Sequence, residues 1–277
     1  AVVSPGAIAA NQVICNGAQP NPLTSVSAGS GSGTISYYWE QSTDGGGTWT
    51  VIPGQTGLGY TPPLLVLTTK YRRVTVSTQN GVACTAATIP LTITVNQVLT
   101  PPVASADQSI CYNTAPAQLT ATPASGGNGS YSYLWQWSPD NITWNNLAGE
   151  IALTYNPPVL TATTYYRIRA IDGGTPSCGT VYSNVVTITV PPAVSASVMV
   201  QYVLCFGQSN GIITVAGIGG LPPYTYALDA GPYQGSGVFG GLPAGTYVIH
   251  VLDAIGCSYS QSVSVTQPAS LSASAHR

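Results

Sequence analysis

Charge is what this sequence has least of. Only 5% of its 277 residues are Asp, Glu, Lys or Arg, against roughly a quarter in an average soluble protein. The formal net charge of −2 offers no basic face for nucleic acid and no polybasic patch for a membrane surface. Histidine is nearly missing. His250 and His276 are the two present, and no Ser-His-Asp or Cys-His trio assembles around either. His250 alternates with Ile249 and Val251, which turns it outward from an expected strand. Lys70 is the sole lysine, so lysine isopeptide bonds cannot be the general staple. The carboxylates Glu40, Asp44, Asp107, Asp140, Glu150, Asp172, Asp229 and Asp253 are scattered over turn-like positions, which argues against a glycosidase pair. No D-x-D-x-D run specifies calcium, for which linkers or loops are the candidate places, for instance around Asp229 or Asp253; Asp253 reads instead as the cap of a tight turn before Cys257. No apolar run reaches the roughly 18 residues that cross a bilayer, and no signal peptide opens the chain. The opening AVVSPGAIA reads as the tail of a preceding strand and linker, and His276-Arg277 as an edge, so a piece of something longer is expected.

What is present is material for β structure. Apolar residues make up 44% of the chain, with 17 tyrosines, 31 glycines and 22 prolines, enough to build cores and turns and to exclude disorder. Residues from about 10 to 95 and from about 106 to 190 are copies of one another. Ala10 to Cys15 answers to Ala106 to Cys111, and Tyr38-Trp39 to Leu134-Trp135, at an offset of 96. Trp49 and Trp144, Tyr60 and Tyr155, Pro62-Pro63 and Pro157-Pro158, and Tyr71-Arg72 and Tyr166-Arg167 follow at 95. One residue is therefore lost in the turn between the tryptophans, where hairpin tips tolerate it. Each copy holds short period-2 runs, such as Ile35 to Glu40 and Tyr165 to Ala170, broken by Gly, Pro, Asn and Ser. About seven strands per copy without helical periodicity point to an immunoglobulin-like β-sandwich.

Within the copies, Ser42-Thr43-Asp44-Gly45-Gly46-Gly47-Thr48-Trp49 fits S-x-D-x-G-x-T-W, the Asp box, and reads as a hairpin tip. The second copy keeps Ser138, Asp140, Thr143 and Trp144 but has Ile142 in place of the glycine. Trp39, Trp135, Tyr71 and Tyr166 are expected in the core. Trp49 and Trp144 are expected to cover hairpins, and Trp137 to extend the packing of Trp135. Tyr131, Tyr133, Tyr224, Tyr226 and Tyr233 read as packing for β faces, with a sugar-stacking strip as the alternative. Asn128 and Asn141 head N-x-S/T sequons at loop tips.

Six cysteines allow fifteen pairings. Because the chain repeats, the expectation is one disulfide inside each domain: Cys15 with Cys84, Cys111 with Cys178, and Cys205 with Cys257. Each would gain about 4 kcal/mol in the chain-entropy model and would imply an oxidising, extracellular setting. Zinc is disfavoured, since CxxC or histidine partners are lacking. No metal, cofactor or catalytic residue is expected. The junctions Val95 to Pro102 and Val190 to Ala193 are short and carry proline, which favours a semi-rigid series.

The third stretch has its own grammar: Cys205, Asn210-Gly211, Gly220 before Pro222-Pro223-Tyr224-Thr225-Tyr226, Gly241-Leu242-Pro243-Ala244-Gly245-Thr246-Tyr247, Asp253, Gly256-Cys257 and Gln267-Pro268. It resembles the SprB repeat, a small β module of large cell-surface adhesins in gliding Bacteroidota, and the two copies before it look like the immunoglobulin-like modules that accompany such repeats. The expected fold is all-β: three tandem disulfide-stapled sandwiches arranged as a rod, with bounds 1–98 and 99–192 for the immunoglobulin-like pair and 193–277 for the SprB-like module. The resemblance implies a non-enzymatic segment of an extracellular, cell-surface adhesin serving attachment or gliding, exported by type IX secretion. The alternatives are the subunit of a self-assembled filament and a carbohydrate-binding appendage of a secreted enzyme. The expected partners are neighbouring domains or copies of the same protein in a filament, with surface polysaccharide as a further candidate; neither nucleic acid nor direct membrane insertion is expected.

Overall fold

Alternation of apolar and polar residues sets the strands, because the pleat sends successive side chains to opposite faces. Thr164–Asp172 shows the pattern in full: Thr164, Tyr166, Ile168, Ala170 and Asp172 are buried and the residues between them half-buried. The computed structural model describes residues 2–272, so His276 and Arg277 lie outside the described residues. All of its regular elements are strands. The chain divides into two compact units, one made of residues up to Val103 with 122–134 and 168–183, the other of 104–121, 135–167 and the residues from Asn184 onward.

In the first unit, Thr34–Ser42 lies between Thr50–Ile52 and Thr69–Gln79, and Thr69–Gln79 pairs in turn with Leu91–Thr100, all antiparallel. This order is that of the C′-C-F-G sheet of an immunoglobulin-type sandwich. Gln12–Cys15 adds to Leu91–Thr100 in parallel, with Cys15 opposite Asn96. The core gathers Ile14, Trp39, Tyr71 and Ile93 from this sheet with Leu23 and Leu65 from outside it. The Trp39 indole N–H donates to the Gly57 carbonyl at 3.0 Å, and the Tyr60 ring sits 5.8 Å from Trp39 and 5.6 Å from Tyr71. Residues of the second copy in the other unit repeat this trio. Trp135 donates to the Ala152 carbonyl at 2.9 Å, and Tyr155 lies 6.0 Å from Trp135 and 5.6 Å from Tyr166.

One core position differs sharply between the copies. Ile168 is fully buried; its counterpart Arg73 is fully buried as well. A cation there survives because oxygen atoms surround it. Arg73 Nη1 donates to Ser25 Oγ (2.8 Å) and the Leu58 carbonyl (3.0 Å), and Nη2 to the carbonyls of Ser27 (2.8 Å) and Pro5 (3.3 Å). The guanidinium also lies over the Tyr37 ring at 5.1 Å. Burial lowers its pKa below the ordinary arginine value.

The third stretch lies in the second unit as two three-stranded sheets. Ser195–Gln201, Gly211–Ile218 and Val238–Leu242 form one, and Thr225–Leu228, Gly245–Leu252 and Ser258–Val265 the other. Ile213 and Val215 from the first sheet meet Tyr226, Ile249, Val251, Val263 and Val265 from the second in a single core.

The expected staples do not form. Cys15 bonds to Cys178 and Cys111 to Cys257, while Cys84 and Cys205 are exposed thiols. The physical reason lies in the last strand of the first copy. Leu91–Thr100 runs on past the end of its own sheet and pairs with Ser125–Gly127 of the second copy, Thr100 opposite Ser125 and Gln97 opposite Gly127. The late loop delivered to Cys15 is therefore that of the next copy, and Asn96 Nδ2 lies 3.7 Å from Cys178 Sγ. In the second unit the Pro192 carbonyl accepts from Gly220 N (2.8 Å), and the chain around it brings Cys257 to Cys111 at a Cα separation of 5.5 Å. The first bond joins an early cysteine of the first copy to a late cysteine of the second, and the other an early cysteine of the second copy to a late cysteine of the third stretch.

Candidate functional site

The two disulfides mark a junction that the protein builds twice from the same parts. In the first unit, Gly126 and Gly127 adopt φ of 78° and 55°; in the second unit, Gly219 and Gly220 adopt 70° and 57°. Any side chain at Gly126 would strike the Val98 carbonyl, and any at Gly219 the Ala193 carbonyl. The glycines thus combine a left-handed backbone with close approach of the incoming chain, two demands that exclude a Cβ.

A buried carboxylate lies behind each glycine pair. Asp172 Oδ2 accepts from Cys178 N (2.8 Å) and Asn128 N (3.3 Å). Asp253 accepts from Cys257 N (2.8 Å) and Ile255 N (3.0 Å) through Oδ1, and from Leu221 N (2.9 Å) through Oδ2. A Cβ on Gly127 would lie 2.7 Å from Asp172 Oδ2, and one on Gly220 2.6 Å from Asp253 Oδ2. Each aspartate fixes both the glycine turn and the backbone of the bonded cysteine. Asp253 caps its turn as the sequence suggested; Asp172 carried no such signal when read alone. The motif that both junctions share is Gly-Gly-x-x-x-Tyr-x-Tyr, which aligning residues 126–133 with 219–226 reveals.

The tyrosines of that motif are spent on the turn. Tyr131 donates its hydroxyl to the Gly126 carbonyl (2.5 Å), and Tyr224 does the same to Gly219. The Tyr133 hydroxyl accepts from Ala124 N (3.0 Å), and that of Tyr226 from Gly217 N (3.1 Å). These four clasp strand to loop instead of presenting bare rings, whereas Tyr233 stays exposed. Trp137 departs from its expected role. It is partly exposed and lines an apolar hollow of about 240 Å³ in the second unit with Leu147, Tyr155 and Pro158.

At the hairpin tips, Asp44 takes a hydroxyl from Ser42 (2.6 Å) and both the N–H (2.8 Å) and the hydroxyl (2.7 Å) of Thr48. The Trp49 indole donates to Gly46 (3.1 Å), and Arg72 lies 4.1 Å over Trp49 while its Nε meets Glu40 at 2.6 Å. The second copy substitutes Gln136 for Glu40: Arg167 Nε donates to it at 2.8 Å and stacks 4.0 Å over Trp144. Asp140 accepts from Thr143 N (2.7 Å), Ile142 N (2.9 Å) and Ser138 Oγ (2.8 Å). These bonds, the Thr143 amide foremost, hold its pKa at about 2 against an ordinary 3.8; Asp44, led by its Ser42 bond, lies lower still. A depressed carboxylate stabilises the fold fully above its unfolded pKa, and that contribution is lost as pH falls through the folded one. Carboxyl NMR should therefore find Asp140 titrating near pH 2 and moving up in Ser138→Ala; a wild-type midpoint at the ordinary value would contradict the hairpin geometry.

The remaining candidates are each engaged locally. His250 Nδ1 pairs with Ser260 Oγ at 2.8 Å. Asp229 accepts from Val248 N (2.7 Å) and Asp107 from Thr187 N (2.7 Å). Among the described residues, no group of three or more His, Cys, Asp or Glu side chains is placed to hold a metal ion.

Comparison with known proteins adds two family matches. No curated protein matches the chain. Among solved structures, extracellular domains 3-5 of Drosophila OTK align over 96% of this chain and 97% of their own, at 14% identity and a TM-score of 0.38. The N-terminal four immunoglobulin domains of Dscam1 isoform 6.9 align over 96% and 73%, at 12% and 0.34. The SprB repeat matches residues 200–232, within the stretch that resembled it. The two copies, which looked like its immunoglobulin-like companions, match a family described as a domain of unknown function, DUF8696, at residues 4–97 and again at 100–192. Those two matches span well over half of the sequence, and the chain belongs to the DUF8696 family.

Proposed function

We propose that this chain is a non-enzymatic structural segment of an extracellular adhesin or surface filament, displayed on the cell surface for attachment or gliding and exported by type IX secretion. Its modules are residues 1–98, 99–192 and 193–277. The observation that carries the reading is the pair of disulfides that run from one module to the next: they tie serial modules together, which suits a chain that transmits tension. The SprB match at 200–232 supports the adhesin class. The use of acidic groups supports it as well. Asp44, Asp107, Asp140, Asp172, Asp229 and Asp253 are bonded to backbone amides, and Glu40 to Arg72.

Shearing the source cells, imaging the released filaments by electron microscopy and identifying their peptides tests the proposal. Peptides of this chain in filaments made of many serial β modules are the expected result. Their absence from every filament, with recovery beside a soluble polysaccharide hydrolase, would replace it with the carbohydrate-binding reading. Partly exposed Trp137 over its apolar hollow is the feature that favours that alternative.

A further inference from the structure

We infer that Cys84 and Cys205 are the two open ends of a disulfide relay, each made to bond with the complementary cysteine of a like module set head to tail. The inference stands on cysteine positions and holds whether or not the protein adheres to anything.

Three early cysteines are built alike. Two residues after each lies a left-handed residue: Gly17 (φ 74°) after Cys15, Asn113 (59°) after Cys111 and Gly207 (74°) after Cys205. The following residue then turns back onto the cysteine carbonyl, through Ala18 N (3.0 Å), Thr114 Oγ1 (2.6 Å) and Gln208 N (3.2 Å) respectively. Cys205 thus has the frame in which Cys15 and Cys111 are bonded.

The late cysteines correspond in the same way. Asp253 N donates to the Cys257 carbonyl (3.0 Å), and Asp172 N to that of Gly179 (3.0 Å), the neighbour of Cys178. Cys84 lies opposite Ser77 in its hairpin, and Ser77 stands where those aspartates stand. Its Oγ accepts from Gly33 N at 3.0 Å, and a Cβ on Gly31 would lie 2.5 Å from it, as Gly127 and Gly220 relate to their carboxylates. Both formed bonds join the early cysteine of one module to the late cysteine of the next. That rule leaves the late cysteine of the first module and the early cysteine of the third without partners, and these are the two exposed thiols. Beside Cys205, Tyr202, Leu204 and Phe206 are each more than half exposed among the described residues, an apolar surround.

The bond forms by exchange. The thiolate of one cysteine attacks a low-molecular-weight disulfide such as oxidised glutathione, making a mixed disulfide and releasing one small thiol. The complementary thiolate then displaces the second small thiol, so two protein thiols are oxidised while one small disulfide is reduced to two thiols.

The test is to alkylate the protein on intact cells, digest it without reduction and map the cysteine peptides from each band of a non-reducing gel. The expected result is loss of Cys84 and Cys205 from the alkylated pool and their recovery in disulfide-linked peptides. A Cys205 peptide joined to a Cys84 peptide in dimer and higher bands identifies the partner as a second copy of this chain. Linkage to a cysteine outside these 277 residues identifies a flanking module. Recovery of both as free alkylated thiols, capped by small thiols, or joined to each other in a monomer band overturns the inference.

Discussion

Pulled from its two ends on a Cys84→Ser, Cys205→Ser background, the oxidised chain is expected to become taut at about 350 Å, and the fully reduced chain at about 950 Å. The difference comes from how the disulfides interleave. Cys111 falls inside the loop closed by Cys15 and Cys178, and Cys178 inside the loop closed by Cys111 and Cys257. Between the two linked points, three stretches of chain run side by side, and extension stops when the shortest, Cys111 to Cys178, is straight. Breaking either link alone frees little, because the other still bypasses most of the chain. Cys178→Ser should extend the limit only to about 450 Å and Cys111→Ser only to about 390 Å, yet the two together should reach about 950 Å. Force spectroscopy of the four proteins decides it. Gains that add from the single variants to the double would mean separate loops in series, and the interleaved pairing would be wrong.

Asp253→Ala is expected to cost about 3 kcal/mol locally and to speed hydrogen exchange of the Cys257 and Ile255 amides about a hundredfold. Asp253 is 5% exposed and accepts from three backbone donors, so truncation leaves all three without a partner in a buried place. Gly220→Ala should act on the same group from the other side, since its methyl would stand 2.6 Å from Oδ2 at a φ of 57°. Asp229→Ala is the comparison. That exposed residue accepts an amide bond from Val248 N, and its loss should move exchange by about tenfold or less. Equal responses in Asp229→Ala and Asp253→Ala would remove the special role given to the junction carboxylate.

The repeat was legible because each copy places the same side chains at the same strand positions. Trp39 and Trp135 are fully buried, each with its indole tied to a carbonyl, and the offset change fell in a hairpin tip, where a change of length shifts no strand register. The Asp44 and Asp140 turns followed from local spacing alone, since every donor lies within four residues of its aspartate. The cysteine pairing was not legible. In a series of repeats, a bond within a module and a bond to the next module use the same positions, and sequence spacing cannot separate them. What selects the second is the run of Leu91–Thr100 into the next copy, an excess of strand length with no local signature. The tyrosines were read as packing for β faces; what spacing did not show is that the glycine turn takes the hydroxyls of Tyr131 and Tyr224.

Arg73 sets a condition on how such genes can be shuffled. Its guanidinium is solvated by carbonyls at Pro5 and Ser27 and by the Ser25 hydroxyl, residues that lie far upstream of it in the chain. A crossover between the first copy and the second, placed anywhere between Ser27 and Arg73, would bury a cation against a lining evolved around Ile168, or set an isoleucine among orphaned oxygens. Viable exchanges must carry the strand and the lining together, so recombination breakpoints in related genes should cluster ahead of Pro5 and beyond Arg73 and thin out between them.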